Sequence, residues 1–298
     1  MFVINHIKDE GKAIDHLEMK NSDASCCAKI DLNFGGSLKQ LKLRDKTIIS
    51  NDNVTRFQHV FNSSILFPFV NRIESGSYSF KGKKFNLPIN ETDRNNALHG
   101  LVFEKSFQFS CQDIEENKAK VTLVYNETQP IEGFPYKYSL VVEYKLTENA
   151  LELNVEVKNN DLHEFPFNLG WHPYFVTNDL FHSELKINSN KKLLVNKNMI
   201  PNGEQQIDWN GFIKINDKTF DDCFILNSNQ IEFKTPEYHV ELQFSSKENY
   251  LQLYTPEDRK SIAIEPQTAP ANNFNSKKGL MTLKPNKKYG IKWKINLK

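Results

Sequence analysis

Five polar residues of the types that bind ligands or exchange protons stand in five separate segments rich in aromatic residues, Pro or Gly. The segments are FPFVNRIESG with Arg72, NNALHG with His99, GWHPYF with His172, FDDCF with Asp221 and AIEPQTAP with Glu265. A histidine and a carboxylate in one site can give and take a proton near neutral pH. The shared setting of the five residues predicts one site for acid–base chemistry on a neutral polar ligand.

His172 lies in the stretch FPFNLGWHPYF, which holds five aromatic rings and two prolines. Upstream, Leu151 to Lys158 (LELNVEVK) alternate apolar and polar residues, which is typical of a strand with one face in a core. Pro173 fixes its own φ and biases His172 towards extended backbone. The pattern therefore predicts that a stiff segment just beyond a sheet presents the imidazole.

Glu265 is predicted to end the apolar strand SIAIE, and Pro266 follows it directly. The carboxylate would then emerge where the sheet stops, on a backbone whose conformation is restricted. Taken alone, Glu265 could equally pair with a nearby lysine. Its occurrence together with the other four residues favours a functional role.

Many short alternating segments predict an all-β protein. Gly35–Gly36 predicts a hairpin turn within 28–43, and the last strand alternates Tyr289, Ile291, Trp293, Ile295 and Leu297 with polar residues or glycine. Segments 90–96 and 196–211 are read as loops, and Lys277 to Met281 as one helical turn. We find no linker or composition break, so residues 1–298 are expected to form a single large antiparallel β-sandwich domain.

Composition and charge argue against several classes of partner and site. The 38 Lys and Arg against 37 Asp and Glu give a net charge of +1, which offers no electrostatic support for binding nucleic acid or a membrane surface. No apolar run approaches a membrane span, and four Cys do not suggest a disulfide framework. We find no zinc, calcium, phosphate-loop or C-x-x-C motif. We therefore expect a cytoplasmic protein, monomeric or homodimeric, without a metal or other cofactor.

The five motifs, in this order, resemble those of the aldose 1-epimerase (galactose mutarotase) family, from about Ile30 to the C-terminal segment. GWHPYF together with EPQT is most similar to the shorter bacterial-type members. One departure is that Leu101 follows Gly100, where the best-known mutarotases have a second Gly. The resemblance implies a large antiparallel β-sandwich with an open cleft for a sugar.

The resemblance also implies roles for the five residues. Glu265 matches the family's general base and His172 its general acid, while Arg72, His99 and Asp221 match sugar-binding positions. Asp222 is adjacent to Asp221 and is the alternative carboxylate if the register differs by one residue. The implied reaction interconverts the α and β anomers of a free aldohexose by opening and closing the sugar ring, without a cofactor.

Other functions remain compatible with these residues. Asp221 and Glu265 could flank a glycosidic bond, as in a glycoside hydrolase. A non-catalytic carbohydrate-binding or sensor protein could use the same fold. A hexose-phosphate epimerase would be expected to place more cationic residues around the cleft than Arg72. Trp171 and Tyr174 could stack on a pyranose or belong to the core, and Phe175 is expected in the core.

Overall fold

The computed structural model describes residues 1–9, 11, 14–51, 61–246 and 249–298. Strands dominate the described residues, with one short helix and a 3₁₀ turn. The first strands are β1 (Phe2–Asp9), β2 (Ile14–Asn21), β3 (Cys27–Asp31), β4 (Ser37–Leu43), β5 (Lys46–Ile49), β6 (Ile65–Leu66), β7 (Arg72–Glu74), β8 (Ser77–Phe80), β9 (Lys83–Asn86) and β10 (Asn96–Leu98), with the 3₁₀ turn at Thr92–Arg94.

The second part of the chain continues in the same way. Its elements are β11 (Gln108–Ile114), β12 (Lys118–Glu127), β13 (Tyr138–Thr147), β14 (Ala150–Asn159), β15 (Phe165–Phe167), β16 (Gly170–Trp171), β17 (Tyr174–Val176), β18 (Glu184–Val195), β19 (Pro201–Lys214), β20 (Asp221–Leu226), β21 (Gln230–Lys234), β22 (His239–Phe244), β23 (Tyr250–Tyr254), β24 (Ser261–Gln267), α1 (Asn273–Ser276), β25 (Met281–Leu283) and β26 (Lys288–Leu297). The predicted all-β class is confirmed.

A 15-stranded sheet forms the body of the protein. Thirteen of its strands run in the order β11-β12-β13-β14-β26-β22-β21-β18-β20-β23-β24-β16-β6, and β17 and β19 pair with β24 and β18. A second sheet has the order β1-β2-β3-β4-β5, and β1 lies against β11 and β12. Neighbouring strands in both sheets pair antiparallel, as the sequence predicts.

Alternating burial explains why the central strands form. Along β13 every second residue, from Tyr138 to Leu146, is buried, and the intervening residues are partly exposed. In β26 the side chains of Ile291, Trp293 and Ile295 are buried, as their alternation predicts. These residues belong to one large apolar cluster that both sheets share. The core therefore packs against both sheets, and the 15-stranded sheet carries part of the predicted site.

Several local predictions are confirmed and others are wrong. Gly35 and Gly36 both have positive φ, at 68° and 61°, and join β3 to β4 as predicted. The segment 196–211 is largely strand β19 rather than a loop. The predicted helical turn at 277–281 is also wrong, because α1 ends before Lys277, which has a φ of 64°. Strand β24 runs two residues beyond Glu265, to Gln267.

In the part of the chain that the structure describes, no helix has the length and apolar character needed to cross a membrane.

Candidate active site

All five predicted residues line one cavity of about 210 Å³. This volume is below the ~300–1,000 Å³ of pockets for drug-sized ligands, and it suits a single small polar molecule. The lining residues are almost all polar: Asn71, Arg72, Glu91, Arg94, His99, His172, Asp221, Gln252, Tyr254 and Glu265. Two larger clefts of about 650 Å³ each contain none of the five residues.

A two-stranded ribbon carries Arg72 and His99 to the same wall of the cavity. Arg72 begins β7 and lies opposite Leu98 of β10, the residue before His99. The backbone N–H of His99 donates to the carbonyl of Asn71 at 2.8 Å, and His99 has a φ of 63°. The chain turns sharply at His99, and this turn directs the imidazole into the site.

Hydrogen bonds hold the backbone of His172 on both sides. Its N–H donates to the carbonyl of Ser64 at 3.1 Å, and its carbonyl accepts from the N–H of Ser63 at 2.8 Å. His172 lies in the short gap between β16 and β17, and its side chain is buried. A rigid segment at the sheet margin therefore presents His172, as the sequence predicts.

Three adjacent strands place Asp221, Gln252 and Glu265 on one face of the large sheet. Asp221 of β20 lies opposite Tyr254 of β23, and Gln252 of β23 lies opposite Glu265 of β24. Since side chains alternate between faces along a strand, Gln252 and Tyr254 face the same way. The Nε2 of Gln252 donates to Oδ1 of Asp221 at 2.9 Å.

The two candidate aspartates have different surroundings. Asp221 lines the cavity, whereas Asp222 forms an ion pair with Lys192, with Nζ and Oδ1 2.7 Å apart. Consecutive strand residues point to opposite faces, so both cannot serve one side of the sheet. The geometry favours Asp221 as the carboxylate that contacts a ligand.

Glu91 fixes Arg72 within the cavity wall. Its carboxylate accepts hydrogen bonds from Nε and Nη2 of Arg72 at 2.9–3.1 Å, and from Nη1 of Arg94 at 3.0 Å. Asn96 donates to the other carboxylate oxygen at 2.8 Å. Burial acts to raise the pKa of Glu91, but the hydrogen bonds from Arg72, Asn96 and Arg94 lower it below its usual value. Glu91 is therefore an anion that holds the Arg72 fork in one orientation.

His172 and Glu265 form a close buried pair. His172 Nε2 lies 3.3 Å from Glu265 Oε1, and both side chains are 2% exposed. Burial lowers the pKa of His172 to about 3. Burial, and next the nearby Asp221, raise the pKa of Glu265 well above its usual value, while Gln267 and Arg72 partly oppose this. Burial therefore favours the neutral form of both side chains of the pair.

Burial also shifts the pKa values of two ligand-binding candidates, His99 and Asp221. Burial, His172 and Arg72 lower the pKa of His99 well below its usual value, so its imidazole is neutral at pH 7. Burial raises the pKa of Asp221, and the positive charges of Arg72 and Arg94 counteract part of the increase. Burial thus lowers the pKa values of the two imidazoles and raises those of the two carboxyl groups in the site.

The aromatic residues next to His172 belong to the core. Trp171 and Tyr174 are each 1% exposed and Phe175 is fully buried, so the expectation for Phe175 is confirmed. Tyr174 stacks on the His172 ring, with centroids 5.0 Å apart, and so packs against one face of the imidazole. The aromatic ring that lines the cavity is that of Tyr254.

Five further cavity residues were not predicted: Asn71, Glu91, Arg94, Gln252 and Tyr254. Gln252 and Tyr254 lie in β23, and the pairing of this strand with β20 and β24 would have indicated them. Glu91 and Arg94 lie in the polar segment 90–96, where no pattern distinguishes them from other surface charges.

His99, His172 and Glu265 could also hold a metal ion. Each offers one ligand atom, and the three atoms lie within 4.8 Å of one another. These three residues come from segments that are far apart in the chain, so no short sequence motif contains them.

Comparisons with known proteins agree with the fold and the motifs. The family model described as "Aldose 1-epimerase" matches residues 15–296. The uncharacterized protein YihR of Escherichia coli is 27% identical over 244 residues, which cover 78% of this chain and 77% of YihR. The galactose mutarotase of Rattus norvegicus is 22% identical over 215 residues, covering 67% of this chain and 60% of that enzyme.

Solved structures share the architecture. A galactose mutarotase-like protein from Clostridium acetobutylicum superposes with a TM-score of 0.86 at 23% identity, covering 100% of this chain and 98% of that one. The galactose 1-epimerase of Lactobacillus acidophilus gives 0.81 at 19% identity, with 100% and 98% covered. The match of the family model over nearly the whole sequence shows that this chain belongs to the aldose 1-epimerase family.

Proposed function

We propose that this protein is an aldose 1-epimerase that interconverts the α and β anomers of a free aldose. The observation that carries the proposal is the buried His172–Glu265 pair, with 3.3 Å between Nε2 and Oε1, at a small polar cavity. Anomer exchange requires one group that gives a proton and one that takes a proton, on neighbouring oxygens of the sugar. This pair supplies both groups with a single shared proton.

In the proposed reaction, Glu265 removes the proton from the anomeric hydroxyl O1 while His172 gives a proton to the ring oxygen O5. The C1–O5 bond breaks, a C1=O1 double bond forms, and the open-chain aldehyde results. Rotation about the C1–C2 bond exposes the other face of the aldehyde. The same proton transfers in reverse then close the ring as the other anomer, so atoms and charges balance.

The proton must lie on His172 before it can reach O5. Its transfer from Glu265 to His172 across the pair gives the carboxylate base and the imidazolium acid. The positive charge of Arg72 favours this form, because it lowers the pKa of Glu265. A sugar hydroxyl that donates to the carboxylate would favour it further. Each positioned group is expected to contribute about 10²–10⁴-fold to the rate.

The remaining cavity residues are proposed to hold the sugar. Arg72 and His99 would donate hydrogen bonds to sugar oxygens, and Asp221 would accept from hydroxyls. Pairing with buried polar groups discriminates strongly against ligands that lack the matching hydroxyl. The proposed steps use only side chains of this protein. We also propose that residues 1–298 form a single domain.

Polarimetry or proton NMR tests the proposal. Freshly dissolved α-D-glucose and α-D-galactose should reach anomeric equilibrium faster with the protein than in weak buffer alone. Glu265→Gln should slow the catalysed rate by about 10²–10⁴-fold. Glu156→Gln is the matched control, since Glu156 is 41% exposed on β14 and pairs with Lys288 outside the cavity. Sugar binding without faster equilibration, in a folded protein, would instead support a carbohydrate-binding role.

A second candidate substrate class follows from Arg94. This residue lines the cavity beside Arg72 and its side chain is 43% exposed, so the site has the additional cation that a phosphorylated sugar would require. Because Glu91 already binds both arginines, the free aldose remains our first candidate. The same assay with an α-hexose 6-phosphate distinguishes the two substrate classes. A much higher kcat/KM for the phosphate than for the free aldose would favour the phosphorylated sugar as the substrate.

A further inference from the structure

The cluster of His99, His172 and Glu265 contains ligand types that bind transition metals. Imidazole nitrogens and a carboxylate oxygen are the usual protein ligands of Zn²⁺ in sites that keep one position open. Their three ligand atoms lie within 4.8 Å of one another and border the cavity of about 210 Å³. The cavity leaves space for a water molecule as a fourth ligand.

The spacing of one ligand pair already suits a tetrahedral ion. With metal–ligand bonds of ~2.0–2.1 Å, two tetrahedral ligands lie roughly 3.3–3.4 Å apart. His172 Nε2 and Glu265 Oε1 are 3.3 Å apart. His99 would complete the set if its ligand nitrogen moved closer by about 1.4 Å at most.

A neighbouring side chain orients the carboxylate for this role. Gln267 Nε2 donates to Glu265 Oε2 at 3.0 Å, which leaves Oε1 directed towards His172. Hydrogen bonds of this kind to the outer oxygen of a ligating carboxylate stabilise metal sites.

We propose that His99, His172 and Glu265 form a binding site for Zn²⁺ and similar divalent transition metals, and that the bound metal inhibits the protein. The metal and the sugar would compete, because the ion occupies the proposed acid and base together. Metal binding itself stands on the geometry alone, and only its inhibitory effect rests on the proposed function.

Cobalt provides a direct readout, because tetrahedral Co²⁺ absorbs visible light strongly compared with the hydrated ion. The purified 298-residue protein, freed of metal with a chelator, is titrated with Co²⁺. We expect one equivalent to bind with a saturable visible band, and one equivalent of Zn²⁺ to displace it. Addition of galactose should weaken the band if the two ligands share the site.

Matched histidine variants locate the site. His99→Asn should lower Co²⁺ affinity by about 100-fold or more. His239→Asn is the control, because His239 pairs with Glu232 at 2.9 Å outside the cavity and should leave the titration unchanged. A second variant, Glu265→Gln, should also abolish the band, which keeps the test valid if His99→Asn folds poorly by circular dichroism.

The outcomes separate the two proposals. Absence of a saturable band, or an unchanged band in folded His99→Asn and Glu265→Gln, overturns the metal site whatever the activity. A band that requires both residues, in a protein without anomer-exchange activity, supports the metal site and contradicts the proposed function. Zn²⁺ inhibition that falls as the sugar concentration rises supports both.

Discussion

Glu91 binds Arg72 through two donors, Nε and Nη2, at the cavity wall, and both side chains are 11% exposed. Both side chains are largely buried, which restricts their movement. Arg94 and Asn96 donate to the same carboxylate of Glu91. Glu91 is therefore a positioning residue, since it acts on a ligand through Arg72.

Glu91→Gln should raise KM by about tenfold, equivalent to ~1.4 kcal/mol of lost binding, and change kcat by much less. Arg72 loses its bidentate anionic partner, so its orientation towards the sugar is less restricted. Glu91→Asp keeps the charge and should give an intermediate KM. Glu74→Gln is the control, because Glu74 is an exposed residue of the same strand and does not line the cavity. An equal fall in kcat and no change in KM for Glu91→Gln would contradict this role.

The pH profile of kcat/KM should lack an acidic limb near 6.5, the usual pKa of histidine. Burial lowers the pKa of His172 to about 3, so lowering the pH adds a second proton to the pair, and removes its base, only far below neutrality. Raising the pH removes the single shared proton when Glu265 ionises. Because the pKa of Glu265 is raised, this loss occurs at a higher pH than for an ordinary glutamate. Rates corrected for spontaneous mutarotation should be flat from pH 7 to 5. A tenfold fall per unit below pH 6.5 would show that His172 titrates normally.

Asp221→Asn should raise KM by about tenfold or more, because a partly buried acceptor for sugar hydroxyls becomes an amide that also donates. Asp222→Asn should leave kcat and KM nearly unchanged. It removes only the partly exposed ion pair with Lys192, which is worth about 0–1 kcal/mol. Michaelis profiles of the two variants, measured side by side, check both expectations. The reverse pattern would show that the sugar contacts the opposite face of β20.

Gly100→Ala should lower the free energy of unfolding by about 2–3 kcal/mol or more. A Cβ at this position would lie 2.3 Å from the carbonyl oxygen of Phe67, and Gly100 has a φ of 82°. Gly82→Ala separates the steric clash from the strain of a positive φ, because Gly82 has a φ of 77° but no atom within 4 Å of the added Cβ. It should cost only about 1–2 kcal/mol. Urea denaturation of both variants measures the difference.

The sequence predicts the strands of this fold well wherever one face is buried. The alternation that predicts β14 and β26 is regular, and the structure confirms both strands. The N-terminal strands β1 and β2 were not predicted, because β1 is mostly exposed and lacks apolar alternation. Strand β19 was read as a loop for the same reason, since most of its residues are exposed.

The candidate site was predictable as a set of residues but not as a geometry. His172 and Glu265 stand in unusual motifs, and these motifs led to both. The distance of 3.3 Å between them depends on how β24 pairs with β16 and β17. This pairing register cannot be read from a single sequence. Glu91 is an ordinary acidic residue in a polar segment, and only the folded chain shows that it binds Arg72.

The position of β26 has a consequence for the order in which the protein folds during synthesis. In the described sheet β26 lies between β14 and β22, so it joins strands β11–β14 to the half that carries Asp221 and Glu265. Every other strand of the sheet precedes it in the chain. Until residues 288–297 leave the ribosome, β14 and β22 each present an unpaired edge, and such edges promote aggregation. We therefore expect the nascent chain to need protection by chaperones until β26 has been made.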